Sequence, residues 1–350
     1  MTFLIFIIIL GILVLVHELG HFLAAKKAGV QVDEFGFGYP PRALRIGKRW
    51  GTLFSLNWIP FGGFVKILGE NYEPPSPEKS GFGEPREGKN FTQVSKKWQA
   101  AILVAGVSFN ILFAWLLFSL GFMIGLPTPV ENNFGLAVKN PILTVIDVIP
   151  DSPAQNAGLK SGDKIKKMEN NFAGNVLLEI DRGGKNLNFE IKPETGIVEN
   201  KKIIGINMDM IGTLSLPIHR AVYEGGKTTF EIIYLTVGGL SNLIKDAVRW
   251  KADISQVAGP VGIISLVGDA SRLGFVYLIT FTALISINLA IINLIPFPAL
   301  DGGRLLFVII EGVTKRKINS KIAGVLNTTG FILLISLMLI VTYRDILKLF

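Results

Sequence analysis

Four long apolar runs punctuate the chain, separated by polar segments of very unequal length. They cover residues 2–25, 99–126, 273–297 and 323–343, each close to the roughly 20 residues that a helix needs to cross a hydrocarbon layer about 30 Å thick. The polar segment between the second and third runs is long enough for a folded extramembrane domain. The pattern therefore predicts a polytopic α-helical membrane protein with four transmembrane helices. Its parts are an N-terminal membrane region (1–127, with a loop at 30–98), an inserted domain (128–211), an amphipathic stretch (212–272) and a C-terminal membrane region (273–350).

The polar segments carry their own periodicities. Residues 51–66, "GTLFSLNWIPFGGFVK", are too short and too broken by Pro60, Gly62 and Gly63 to span as a helix. Period-two runs on either side of Pro-Phe-Gly-Gly predict a hairpin turning there. Such a hairpin either packs only against the helices or offers a strand edge that holds a substrate extended. In the inserted domain, residues 143–150, 175–193 and 202–210 read as strands with a turn at Gly183 and Gly184. Residues 152–163 read as a short helix closed by Gly158 and then a turn. The result is a small α+β domain. Beyond it, Ile233, Val237, Leu240, Ile244 and Val248 recur at helical spacing, while Glu231, Lys245 and Asp246 argue against a full span. Residues 218–250 are thus expected to form an amphipathic interfacial helix.

Composition agrees with the membrane reading and excludes several classes. Of 350 residues, 49% are hydrophobic and 18% charged, and a mean hydropathy of +0.47 is too high for an ordinary soluble domain. The absence of cysteine rules out a disulfide framework and a thiolate metal site. The net charge of +8 is concentrated in two loops: Lys26, Lys27, Arg42, Arg45, Lys48, Arg49, Lys96 and Lys97 flank the first, and Arg304, Lys315, Arg316, Lys317 and Lys321 crowd the third. By the positive-inside rule those loops are cytoplasmic, which puts the N-terminus and the inserted domain outside. These charges are expected to set topology and bind anionic lipid, with no nucleic-acid partner. The first run has no basic residue before it, so it reads as a retained anchor rather than a cleaved signal.

That anchor ends in "VLVHELGHFLAA", residues 14–25. Ionisable side chains within a span are costly, so they mark a function or a partner. His17, Glu18 and His21 form H-E-x-x-H, which on a helix aims both imidazoles at one zinc ion and leaves Glu18 facing its water. Zinc lowers the pKa of that water to about 7, and Glu18 takes the proton as a peptide carbonyl is attacked. Catalytic zinc usually has three protein ligands, and no third histidine follows at metzincin spacing. His219 reads as a surface or interfacial histidine. Asp301, in "NLIPFPALDGG" at residues 293–303, is the only acid between Leu273 and Ile310. Pro296 and Pro298 break the helix before it, and Gly302 and Gly303 give the backbone freedom to turn the carboxylate inward. Capping of a helix starting near Arg304 is the competing reading. The expected topology puts His21 and Asp301 at similar depth near the cytoplasmic face.

HELGH followed by "NLIPFPALDGGRLLF" closely resembles the site-2 protease family of intramembrane zinc metalloproteases. The resemblance covers most of the chain. Residues 36–70 are similar to the family's loop after the first span, where it places a membrane-associated β-hairpin. Residues 152–165, "SPAQNAGLKSGDKI", are similar to its PDZ domain, and "GPVGI" at 259–263 also matches. The ensemble resembles the bacterial branch called regulator of sigma-E protease, found in the inner membrane. It implies cleavage of single-pass membrane proteins, such as anti-sigma factors or signal-peptide remnants, within or near their transmembrane segments after a first cut outside. Carried over by position, His17, His21 and Asp301 would hold zinc, Glu18 would be the base, and Asn293 would bind substrate backbone or the developing oxyanion. An amide that satisfies the broken helix's own carbonyls is the alternative for Asn293. Many relatives carry two tandem PDZ domains, and residues 128–211 have room for one. An inactive, PDZ-bearing client-binding protein is the main rival. A metal transporter would need acids or histidines along spans two and four, which have none.

Overall fold

A computed structural model describes residues 1–70, 88–132, 138–171, 174–198, 201–249 and 258–347. The rest of the first loop, 71–87, and residues 250–257 of the predicted amphipathic stretch lie outside the described residues. Four helices are long and apolar enough to cross a membrane: α1 (Thr2–Lys27), α2 (Lys96–Ile124), α6 (Phe275–Leu294) and α8 (Ser320–Leu347). They coincide with the four runs read from the sequence. α6 begins two residues late and stops three early, because Gly274 precedes it at φ +120° and Pro296 leaves no amide to continue it. The remaining helices are the one-turn α3 (Pro153–Asn156), α4 (Ile218–Val248), α5 (Pro260–Leu273) and α7 (Asp301–Thr314). α4 presents Phe230, Tyr234, Leu235 and Ile244 as exposed apolar side chains, as the amphipathic reading expects.

The chain divides into two compact units, the first made of residues 1–118, 225–268 and 280–350. Its β structure among the described residues is built from two long elements, β1 (Val32–Arg49) and β2 (Thr52–Ile67), which pair with each other. They are joined at Trp50 and Gly51, both at positive φ (52° and 71°), as a two-residue type I′ turn requires. Each then reverses direction in its middle, between Phe37 and Arg42 in β1 and between Asn57 and Gly63 in β2. Residues 34–37 therefore lie between 53–56, which run parallel to them, and 63–66, which run antiparallel. Register runs from Arg49↔Thr52 to Arg42↔Asn57 near the turn and from Phe37↔Gly63 to Val32↔Ile67 at the base. The chain thus does reverse at Pro-Phe-Gly-Gly, as the sequence predicts, but the two arms flank residues 34–37 instead of pairing with each other. Residues 60–63 carry that reversal, with Gly62 at φ +82°, and alternation alone does not tell which strand lies between the two arms. At the base, Phe35, Val32 and Ile67 pack with Phe22 and Ala25 of α1 and with Ile102 and Leu103 of α2 in one buried cluster. That apolar contact secures the strand pair to the helices.

The second unit comprises residues 119–224 and 269–279. Its sheet has the order β3-β10-β4-β5-β6-β7, from β3 (Leu126–Pro129), β4 (Lys139–Val148), β5 (Lys164–Asn170), β6 (Val176–Arg182), β7 (Lys185–Ile191) and β10 (Ile206–Leu214). A separate short pair, β8 (Glu194–Val198) with β9 (Lys201–Ile203), is antiparallel. Gly183 and Gly184 turn β6 into β7 with φ of 60° and 84°, as read from the sequence. Ser152 caps α3 by accepting from the Gln155 amide, and Gly158 follows at φ +86°. The strand expected over 202–210 is instead two. The break is at Gly205, φ +82°, where the chain swings against Ser152 and the Ile204 carbonyl accepts from the Ala154 amide.

The unit's core is Val145, Ala154, Ile165, Leu178, Ile180 and Ile191, and one ion pair closes its rim. Arg182 donates through Nε and Nη2 to Asp163, at 2.6 Å each, and also to the Gly158 carbonyl. The Asp163 carboxylate beside it holds the guanidinium above its ordinary range, against partial desolvation. Asp163 is 1% exposed, so removing its partner strands a buried charge. Arg182→Ala is expected to lower the local stability of β5–β7 by roughly 2–4 kcal/mol. Amide hydrogen exchange of the full-length protein would measure this, and unchanged protection would show that water replaces the guanidinium.

Candidate metal centre

Two helices can bring polar side chains into close register only where their backbones come close, and α1 and α2 do so at two glycines. A Cβ placed on Gly20 would lie 2.4 Å from the Ala105 carbonyl oxygen. One placed on Gly106 would lie 2.4 Å from His21 Nε2 and 2.8 Å from His17 Cε1. Small residues at such crossings are how membrane helices pack tightly. Here they bring the α2 backbone directly beneath both imidazoles. Gly106→Ala is therefore expected to displace the rings and weaken zinc binding roughly 10- to 100-fold, the usual effect of losing ligand orientation. Chelator competition would read this, with circular dichroism checking that the helices persist; wild-type affinity would mean that the rings accommodate the methyl group.

The carboxylate that meets these rings comes from the other end of the sequence. α6 ends at Leu294, and the chain turns back through Pro296–Leu300 into α7, whose first residue is Asp301. The Asn327 side chain on α8 accepts from the Ala299 amide at 3.1 Å, where Ala299 sits at φ +77°. Gly302 and Gly303 do not act through backbone freedom, as the sequence suggested. Neither has positive φ. A Cβ on Gly302 would lie 2.2 Å from the Ile295 oxygen, and one on Gly303 2.2 Å from the Phe297 oxygen. They are glycine because the first turn of α7 lies against the chain it has just left.

Asp301 Oδ2 lies 2.9 Å from His17 Nε2 and 3.2 Å from His21 Nε2, and the two Nε2 atoms are 3.1 Å apart. Both histidines are buried and Asp301 nearly so. Its carboxylate is thus spent on the imidazoles rather than on capping a helix. Two imidazole nitrogens and one carboxylate oxygen are the donor set of a catalytic zinc site. Donors about 2.0–2.1 Å from a tetrahedral ion are about 3.3 Å apart, close to the spacing here. Among the described residues this is the group of three His, Asp or Glu that could hold a metal ion.

Supporting contacts surround the three. His21 Nδ1 donates to the Ile102 carbonyl oxygen at 2.8 Å, which leaves its Nε2 lone pair toward the centre. His17 Nδ1 lies 3.2 Å from the side-chain nitrogen of Asn110, and Ser286 Oγ donates to the Asn110 carbonyl at 2.8 Å. Glu18 is half-buried on the same helix face, and its carboxylate accepts from the Val65 backbone amide of β2. Glu70 follows β2 and pairs with Arg304 of α7. Burial pushes the Glu70 carboxyl above the usual carboxylate range, more than Arg304 pulls it down.

Of the residues singled out in the sequence, His17, His21 and Asp301 converge, with Glu18 beside them. Asn293 is half-buried in the last turn of α6 and makes no side-chain hydrogen bond with another described residue. His219 is exposed in the first turn of α4. Sequence reasoning passed over Gly106, Asn110 and Ser286. A polar residue amid an apolar run was the available signal for Asn110.

The profile of peptidase family M50 matches residues 5–337. A candidate zinc metalloprotease of Clostridium acetobutylicum is 33% identical over 358 aligned positions, covering 97% of this chain and 96% of its own length. Another, from Campylobacter jejuni, is 32% identical over 367 positions, covering 98% and 93%. The regulator of sigma-E protease of Salmonella typhimurium is 28% identical over 451 positions, covering 98% of each chain. That last alignment is about 100 positions longer than this chain, so a domain's worth of that relative has no counterpart here.

Proposed function

Because the chain belongs to peptidase family M50, the site-2 protease family of zinc metalloproteases, we propose that it hydrolyses peptide bonds within or near the transmembrane segments of single-pass membrane proteins, after an outside cut has shortened them. The observation that carries this reading is the meeting of Asp301 with two histidines 284 and 280 positions away on a helix apolar enough to cross a membrane.

In this reading His17, His21 and Asp301 hold the zinc ion. Zinc bound there supplies a Lewis acid that acidifies water and polarises a carbonyl. Glu18 takes the proton from the attacking water and later delivers it to the leaving amine. The Val65 amide keeps that carboxylate in place. Asn293, one residue from the end of α6, donates its amide to the substrate backbone or to the oxygen that gains charge. A helical substrate hides its carbonyls in its own hydrogen bonds, and β2 lies alongside α1 at Glu18, with Gly63 next to the Glu18 side chain. A substrate drawn out as an added strand there would offer an accessible peptide bond.

The two loops rich in Lys and Arg argue that the site opens toward the cytoplasmic side of a bacterial inner membrane, with the N-terminus and the 128–211 domain outside. That domain would act as a single PDZ-like module that screens substrates by binding a new C-terminus or by excluding bulk. The regulator of sigma-E protease relatives support a membrane-bound anti-sigma factor or signal-peptide remnant as substrate class.

The test is cleavage of a tagged single-pass substrate, trimmed or untrimmed outside, by purified protein in lipid vesicles, with zinc present, removed and restored. A smaller product from the trimmed substrate, lost and regained with zinc, is expected. No product across several helix-destabilised substrates would overturn the reading and favour a client-binding protein.

A further inference from the structure

His21 and His17 are held at their outer ring nitrogens by partners of different kinds. The Ile102 carbonyl facing His21 Nδ1 can only accept, so it sets a proton on Nδ1 and makes Nε2 the nitrogen that can ligate. The group facing His17 Nδ1 is a primary amide, which can donate or accept. Asn110 is fully buried in the apolar run of α2, where an amide is expensive unless both of its ends are satisfied. As oriented, its nitrogen points at His17 Nδ1, while its Oδ1 is buried without a hydrogen-bond partner. In that arrangement Nδ1 accepts, the ring proton is on Nε2, and Nε2–H donates to Asp301 at 2.9 Å. This is a consistent network for the protein without metal. It is inconsistent with a metal ion, which needs the Nε2 lone pair, moves the proton to Nδ1 and sets two donors face to face.

Half a turn about the Cβ–Cγ axis exchanges the amide's oxygen and nitrogen in nearly the same volume. It brings the orphaned Oδ1 to His17 Nδ1–H. We propose that Asn110 is the positioning residue of His17, its amide oxygen accepting from His17 Nδ1–H when zinc is bound and so fixing the ring and the tautomer that ligates. This rests on the zinc-binding role assigned to His17 above. The rest of the local structure holds Asn110 still. Its backbone carbonyl accepts from Ser286 Oγ of α6, and Gly106, one turn earlier, lets the rings lie against the helix.

Zinc affinity of the full-length protein, measured by chelator competition without substrate, tests the assignment. Asn110→Leu keeps the volume and deletes the acceptor, and it should bind zinc roughly 10- to 100-fold more weakly. Asn110→Asp can only accept, and it should bind at least as tightly as wild type. A residue that merely packed would give the reverse order, because leucine suits an apolar surrounding and a carboxylate does not. Wild-type affinity in the leucine variant, or an aspartate variant as weak as it, overturns the proposal. If either variant fails to fold, the nitrogen-15 spectrum of labelled histidine in zinc-loaded wild type decides. A proton on His17 Nδ1 is expected, and one on Nε2 overturns it. Failure of the zinc-site reading itself would look different, since wild type would then bind no zinc.

Discussion

Glu18→Gln is expected to cut the rate of substrate cleavage by about 10²- to 10⁴-fold, the usual contribution of a general base, while zinc stays bound. Glutamine has the same length and can still accept from the Val65 amide through its carbonyl oxygen, so its position beside β2 should survive. It lacks a basic oxygen able to take a proton from water. Immunoblotting of a tagged substrate, together with metal analysis of the same preparation, separates the two effects. Loss of metal along with activity would make Glu18 a ligand or a structural support, and retained activity would remove it from the mechanism.

Asp301→Ala is expected to lower zinc affinity by at least about 10²-fold, beyond the 10- to 100-fold that outer-shell partners produce. The substitution deletes the one carboxylate within 3.2 Å of both imidazoles. It also leaves two buried histidines as the remaining ligands of the set. Helix α7 should persist, because alanine suits its first turn and the Asp301 side chain is not the helix's cap. Chelator competition measures the affinity, with circular dichroism as the control. Unchanged zinc binding would sink the third-ligand assignment and require the ion to sit elsewhere.

These two outcomes also separate site from scaffold. Gly106→Ala and Asn110→Leu alter neither Glu18 nor a ligand, yet both should weaken zinc, because ligand orientation comes from α2. Glu18→Gln should leave zinc alone.

The four apolar helices, the amphipathic α4, the Gly183–Gly184 hairpin and the H-E-x-x-H face of α1 were all legible in the chain itself. Each is a local signal, in which hydrophobic period, turn glycines or i, i+4 spacing acts over fewer than about 30 residues. Asp301 was reachable by elimination, as the only acid of its region, and the resemblance of its surroundings to a known family named its partners. Other features depended on parts of the chain distant in sequence. The placement of residues 34–37 between the two arms that meet at 60–63 follows from pairing both halves of β2 with β1. The break at Gly205 follows from the approach of Ser152. Gly302 and Gly303 looked like conformational freedom and Gly106 carried no signal, and all three are instead places where another segment comes too close for a side chain. Nor does the sequence tell that Asn110 faces His17, 93 positions away, with one end of its amide unanswered. Local pattern states which side chains want burial or a helix; only close packing between distant segments decides what each buried polar group will meet.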